Sequence, residues 1–186
     1  MIIIGITGTL GAGKGTAVDY LVKNKNFKHF SVREYLIKEI KKDGNIVNRD
    51  SMTNKANELR AEFGPSYIVD ELYKLATDAS SNCIIESIRT SGEIESLRKK
   101  AEFYLFAIDA DVKTRYERIV KRASSTDKIS YAEFLANETR EMTSADPNKQ
   151  NLKKCIEISD FKIMNNGTIK ELNEKVDKII QKLLPS

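Results

Sequence analysis

The 186-residue chain contains no tryptophan, one histidine, two cysteines and three prolines, and each scarcity excludes something. A lone histidine, His29, cannot build a histidine-based metal centre. Cys83 and Cys155 stand far apart with no C-x-x-C spacing, which excludes a zinc ribbon and a dithiol redox motif. Both lie in apolar patterns, so they read as buried free thiols of a reducing compartment, and the expected location is the cytoplasm. No stretch approaches the about 20 apolar residues of a membrane span, and the apolar start is too short for a signal peptide. The formal charge of +4 suits a phosphate-bearing ligand but falls well short of a nucleic-acid binder, so neither membrane nor nucleic acid is an expected partner. No internal repeat or low-complexity tract is present. With prolines only at 65, 147 and 185, long helical stretches run unbroken.

What is present is concentrated at the start. The apolar run Ile2–Ile6 breaks into a loop holding Gly8, Gly11, Ala12, Gly13 and Gly15, with Lys14 and Thr16 near its end. A buried strand, a glycine-rich loop and an amphipathic helix in that order form a phosphate-binding loop, or P-loop. Without side chains in the way, backbone N–H groups can point at phosphate oxygens. The following helix adds its positive N-terminal end, and Lys14 adds a full charge near the β- and γ-phosphates. ATP binding follows as an expectation. The general motif places Ser or Thr directly after Lys to hold Mg²⁺. Here Gly15 intervenes, so Thr16 is expected to reach the metal through water.

Five short apolar runs read as strands: Ile2–Ile6, Lys28–Phe30, Cys83–Ser87, Tyr104–Asp109 and Phe161–Met164. Helical patterns fill the gaps, which predicts an α/β three-layer αβα fold with a five-stranded, mainly parallel sheet and a crevice at the strand C-terminal ends. Ala17, Val18, Leu21 and Val22 give the first helix a buried stripe. Thr168 with Glu171 predicts a capping box opening the last helix, whose Leu172, Val176, Ile179, Ile180 and Leu183 face the sheet. The whole chain, 1–186, reads as one α/β domain with two additions. The stretch 31–77, broken at Gly64-Pro65, should hold two or three helices. The polar stretch 123–149 has Ser124–Asp127 and Asp146-Pro147-Asn148 at its hinges. Both are candidate flaps over substrates. Phe27, Phe30, Tyr35, Phe63 and Tyr67 are read as core of the first flap rather than as base-stacking residues.

Phosphoryl transfer needs two phosphates held in line and positive charge around the transferring group, a task suited to arginine. Glu86 ends the third strand, where an acid can organise Mg²⁺ and its waters. Arg89 follows it within reach of a second substrate's phosphate. Arg115, Arg118 and Arg122 share one helical face. His29 reads as a partly buried strand residue. Asp109 and Asp111 either bond the glycine loop or cap the next helix, with Asp111 the better N-cap.

The Gly-Ala-Gly-Lys-Gly-Thr loop resembles that of adenylate kinases and related nucleoside monophosphate kinases. Within Ile84–Thr90, Glu86–Thr90 resembles their Asp-Gly-Phe-Pro-Arg-Thr stretch, one residue shorter and with Glu for Asp. Arg118–Arg122 resembles the helix leading into their lid. That resemblance implies that Arg118 lies against adenine, that Arg122 reaches phosphate, and that Arg140 returns from the far side of the lid. Ser31–Leu36 resembles the start of their monophosphate-binding flap, but Ile37 stands where the expected Arg would be, leaving Arg33, Arg49 or Arg60 to substitute beside Arg89. The likeness spanning most of the chain is to a group of archaeal P-loop kinase-like proteins. It rests on the loop, Leu59-Arg60 through Gly64-Pro65, Ile88-Arg89-Thr90, Tyr116-Glu117-Arg118 and Asn165-Asn166-Gly167-Thr168.

The expected function is therefore ATP-dependent phosphoryl transfer to a nucleoside monophosphate, with Mg²⁺ held by Thr16 and Glu86 through water, in a monomer or homodimer. Two alternatives stay open: a dephospho-CoA kinase, and a P-loop NTPase switch or partner-binding module.

Overall fold

The computed structural model describes residues 1–122 and 129–184. Its five strands are β1 (Ile2–Gly8), β2 (Lys28–Ser31), β3 (Cys83–Glu86), β4 (Glu102–Asp109) and β5 (Phe161–Met164). They form one sheet in the order β2-β3-β1-β4-β5. Every pairing is parallel. The central strand β1 is buried along its whole length, which is why it reads as an unbroken run rather than an alternation. It runs further than the apolar residues alone suggest, to Gly8. β4 starts earlier, at Glu102, while β3 stops at Glu86 because Ser87 turns into a left-handed conformation (φ 74°).

The side-chain alternation of β1 sorts the core into two halves. Ile2, Ile4 and Ile6 pack with Ala17, Val18 and Leu21 of α1 (Lys14–Lys25) and with Leu172, Val176 and Ile180 of α9 (Ile169–Leu183). Ile3 faces the other layer. There α2 (Val32–Lys42), α3 (Arg49–Phe63), α4 (Tyr67–Asp78), α5 (Ser91–Lys100) and α8 (Leu152–Glu157) bury residues such as Leu36, Leu59, Leu72 and Leu97. Gly5 faces that layer too. A Cβ on it would lie 2.5 Å from the Phe103 ring and 2.6 Å from Ile88, so close packing, not backbone freedom, requires glycine. Burying each such Ile or Leu contributes about 1.5–3 kcal/mol, and the sheet lies between the two half-cores.

Local signals place the helix starts. Thr168 and Glu171 form the capping box expected at α9. The same device opens α5 through Thr90 and Glu93. It opens α7 (Tyr131–Met142) through Ser130 and Glu133, and Asn48 with Ser51 does so for α3. Gly64 caps α3, and Gly64-Pro65 separates it from α4, so the first addition holds three helices. In the second addition α7 is followed by 143–151, which crosses back to α8. The expected hinge Ser124–Asp127 lies outside the described residues, as does Pro185.

Some expectations need correction. Val22 is 38% exposed, because α1 buries only the stripe through Ala17, Val18 and Leu21. Phe27 joins the core on the opposite face from the flap, alongside Ile84 and Leu21. Phe63 stays 53% exposed, stacked on Tyr67 at 4.5 Å between ring centres. Phe30, Tyr35 and Tyr67 do pack against the flap-side core. Both cysteines are buried free thiols. Burial and the neighbouring Glu93 push the Cys155 thiol up to about 12, so it stays protonated and inert. Among the described residues no helix is long and apolar enough to cross a membrane.

Candidate active site

The loop between β1 and α1 sits at the C-terminal end of the central strand, beside the neighbouring strand ends. Its shape is held from both sides. Asp109 at the end of β4 accepts a hydrogen bond from the Thr9 hydroxyl. The Asn165 amide donates to the Ala12 carbonyl at 2.8 Å, and Arg115 Nη1 donates to the Leu10 carbonyl at 3.4 Å. Asp109 is thus the loop's partner. Asp111 precedes α6 (Val112–Arg122), where its carbonyl accepts from the Arg115 N–H. Gly13 takes φ 99°, and a Cβ there would lie 2.4 Å from the Asn165 amide, so only glycine fits. Gly15 is different: among the described residues, a Cβ on it would meet nothing within 4 Å. The fold does not require glycine at 15, and what its missing side chain leaves open is the cavity it lines.

That cavity has a volume of about 880 Å³. Gly11, Gly13, Lys14, Gly15 and Thr16 line it from the loop, while Gly8 and Ala12 sit behind, one as an acceptor and one buried. Glu86 and Arg89 line it from β3 and the turn after it. Arg33, Arg49 and Arg60 come from the first addition, Arg118 and Arg122 from α6, and Glu141 from α7. Among the described residues, seven lysine and arginine side chains and three glutamates (Glu34, Glu86, Glu141) line this space, a strong local excess for anions.

Lys14 folds onto its own loop, donating to the Gly8 and Thr9 carbonyls at 2.9 and 2.7 Å. Burial, with the Arg89 charge second, lowers its pKa to about 7, against a partial offset from Glu86 and Glu141. Arg89 lies beside it, its Nη1 3.4 Å from the Gly8 carbonyl and 3.5 Å from Glu141. Its backbone is pinned by Glu93, whose Oε2 accepts from the Arg89 and Thr90 N–H groups at 2.7 and 3.1 Å. The other Glu93 oxygen accepts from Arg60 Nε and Nη2 at 3.2 and 2.8 Å. Arg60 is 1% exposed and Glu93 fully buried, so one carboxylate ties α3 to the Arg89 turn. Glu86 lies 3.4 Å from His29 on β2. Burial opposes its charge, yet His29 and Lys14 outweigh that and hold its pKa below the usual carboxylate range.

The sites expected from sequence therefore separate into groups. Lys14, Thr16, Glu86, Arg89, Arg118, Arg122, Arg33, Arg49 and Arg60 share one cavity. Arg118 also donates to the Asn165 and Gly167 carbonyls at 2.8 and 3.1 Å, clamping the turn into α9. Arg115 turns inward, bonding the Ala110 carbonyl at 2.7 Å and Glu138 at 2.6 Å. Arg140 is outside the cavity: it is 45% exposed and pairs with Asp50 at 3.0 Å and with Asn137. The next residue, Glu141, is the one turned inward, because α7 buries Phe134 and Glu141 on one face, seven positions apart. Glu93 and Glu141 are the site residues that the sequence reading passed over. Thr90-x-x-Glu93 is a visible capping box, but nothing local marks Glu141.

Residues 4–146 match the AAA domain family AAA_18. The chain belongs to that family. It is also similar to UPF0200 proteins, and at this level of likeness it belongs with them. It is 29% identical to one from Methanocaldococcus jannaschii over 99% of this chain and 91% of the relative. It is 30% identical to one from Methanothermobacter thermautotrophicus, over 98% of this chain and 91% of that one. Among solved structures, TT1252 from Thermus thermophilus superposes with a TM-score of 0.62 at 18% identity, covering 98% of both chains. Shikimate kinase from Aquifex aeolicus gives 0.55 at 14% identity over 97% of each chain. Dephospho-CoA kinase from Campylobacter jejuni gives 0.56 at 16% over 98% of each. The αβα fold with its parallel sheet is that of P-loop kinases.

Proposed function

We propose that this chain is an ATP-dependent phosphotransferase acting on a phosphorylated small molecule, with nucleoside monophosphates the first candidates. The observation that carries this is a single cavity lined both by the Lys14 loop and by the arginines Arg49, Arg60 and Arg89. One end suits a triphosphate and the other a second anion. An oxygen of the acceptor's phosphate attacks the γ-phosphorus of ATP, the bond to the β–γ bridging oxygen breaks, and ADP leaves. Such an oxygen is already anionic and needs no strong base. The protein's task is to align two phosphates, exclude water and offset their repulsion.

In this reading Lys14 and Arg122 bind the transferring group, Arg118 borders the ATP side, and Arg89 with Arg49 faces the acceptor. Arg60 supports Arg89 through Glu93, and Arg33 also lines the cavity. Mg²⁺ fits this donor set. A nucleotide-bound Mg²⁺ takes most of its ligands from phosphates and water, so one hydroxyl and one ionised carboxylate, Thr16 and Glu86, suffice. The metal would supply charge neutralisation between the β- and γ-phosphates. The buried free thiols support a cytoplasmic setting.

A screen of ADP release against nucleoside monophosphates, dephospho-CoA and shikimate tests the proposal. Turnover with a nucleoside monophosphate supports it. Turnover only with a non-phosphate acceptor, or hydrolysis unaffected by any acceptor, overturns it.

A further inference from the structure

Glu141 is held where a substrate anion would bind. It projects from α7 into the cavity with its side chain 8% exposed. Its Oε1 accepts from Arg49 Nη2 at 2.8 Å, and its Oε2 lies 3.5 Å from Arg89 Nη1. Arg49 opens α3 in the first addition, and Arg89 follows β3 in the core, so this carboxylate joins three distant segments. It does not exhaust the donors there. Arg49 Nε and Arg60 Nη1 are buried without a partner among the described residues. Orphaned guanidinium donors beside a cavity point to a ligand with more acceptor oxygens than a carboxylate has.

We propose that Glu141 is a specificity-determining stand-in for a phosphate monoester: it holds Arg49 and Arg89 in place, and the acceptor's phosphate displaces it to take them. This rests on the reading that the acceptor carries a phosphate. A phosphate monoester brings three terminal oxygens and close to two charges against the carboxylate's two oxygens and one charge. It can therefore engage both arginines and reach donors that Glu141 leaves unused. A neutral or singly charged ligand gains too little to evict the carboxylate, so Glu141 screens against acceptors with no phosphate. A competing role as proton acceptor for a hydroxyl fits poorly. Burial opposes the Glu141 charge, but Arg89, Arg49 and Lys14 outweigh it and hold its pKa below the usual range, which makes it a weak base.

The test is calorimetric titration of inorganic phosphate into protein saturated with Mg²⁺ and a non-hydrolysable ATP analogue, so that the loop is already filled. Glu141→Gln should bind phosphate about tenfold more tightly than the parent chain, because no internal anion has to be displaced. Adding Arg49→Lys to Glu141→Gln should cancel the gain. Glu141→Asp keeps the charge but shortens its reach, and should show a smaller gain; it carries the test if the Gln variant fails to fold. Phosphate affinity unchanged or weaker in a folded variant overturns the proposal. So does a loss of turnover in which the acidic limb of the pH profile vanishes, since that makes Glu141 a base. Turnover of a phosphorylated acceptor with no gain in phosphate affinity overturns the Glu141 role alone. A gain with no phosphorylated acceptor ever turned over overturns the kinase reading alone.

Discussion

The cavity lining is built by two different means, which meet where Lys14 and Arg89 lie side by side at the Gly8 carbonyl. The loop end is one continuous stretch, Gly8–Thr16, in which backbone conformation does the work and side chains mostly stay out of the way. The arginine end is assembled from α3, the turn after β3 and α7, residues up to 92 positions apart in sequence. There the side chains carry the chemistry, and two buried carboxylates, Glu93 and Glu141, position them. A site made of backbone tolerates few substitutions but announces itself in a short motif. One made of side chains from distant segments is adjustable, and announces almost nothing.

Removing Lys14 should break the loop end most severely. Lys14→Ala is expected to lower turnover by about a thousandfold or more, about 4 kcal/mol, in a steady-state assay. Its melting temperature should hold or rise, since a lysine whose pKa burial lowers to about 7 is costly to keep charged. A collapse of the melting transition would mean that the residue is structural.

The glycines offer a sharper contrast within the same loop. Gly13→Ala sets a Cβ against Asn165 in a left-handed conformation and should abolish ATP binding by distorting the loop. Gly15→Ala meets no atom of the described residues within 4 Å and should fold normally, with any loss confined to ATP affinity or turnover. Equal melting temperatures for the two variants would contradict the packing described.

At the arginine end the expected effect is smaller. Arg89→Lys keeps the charge but loses the fork, and should raise the acceptor KM or lower kcat by about tenfold, about 1.4 kcal/mol, with little change in ATP affinity. Arg118→Ala should weaken ATP binding first, and should also loosen the Asn165–Gly167 turn it clamps. If Arg89→Lys chiefly damages ATP affinity, the division of the cavity into two ends is wrong.

The smallest effect is a proton. At pH 8 a Lys14 with a pKa of about 7 is largely neutral, and the phosphates of ATP should raise that pKa and draw a proton in. Calorimetry in buffers of different ionisation enthalpy should show fractional proton uptake at pH 8 from the parent chain and none from Lys14→Ala. Near pH 6 the lysine is already charged, so its share of the uptake should vanish. The sign for stability follows the same way. The unfolded lysine keeps its ordinary pKa of 10.5, so the Lys14 contribution is greatest above that pH and is lost as pH falls through about 7. Uptake that persists in Lys14→Ala would assign the proton elsewhere.

Much of this was legible in the residues. The strands, the loop, the break at Gly64-Pro65 and the α9 capping box each follow from runs, spacings and turn chemistry within a dozen residues. Arg140 was not placed correctly, because the resemblance that suggested it fixed the helix but not its rotation. On α7 the inward direction belongs to Phe134 and Glu141, and the neighbouring Arg140, about 100° around the helix, points to Asp50 instead. Val22 went astray for a similar reason: the helix buries a narrower stripe than its apolar residues allow.

By itself the sequence determined the α/β layering and the phosphate loop, because both arise from local interactions: hydrophobic periodicity chooses strand or helix, and glycine spacing sets what the backbone can do. Only the tertiary structure decided which carboxylates meet which arginines. Arg60 with Glu93, and Arg49 and Arg89 with Glu141, are contacts between segments that the chain's order keeps apart. Their energies depend on burial, and burial exists only once the whole sheet and its added helices have packed.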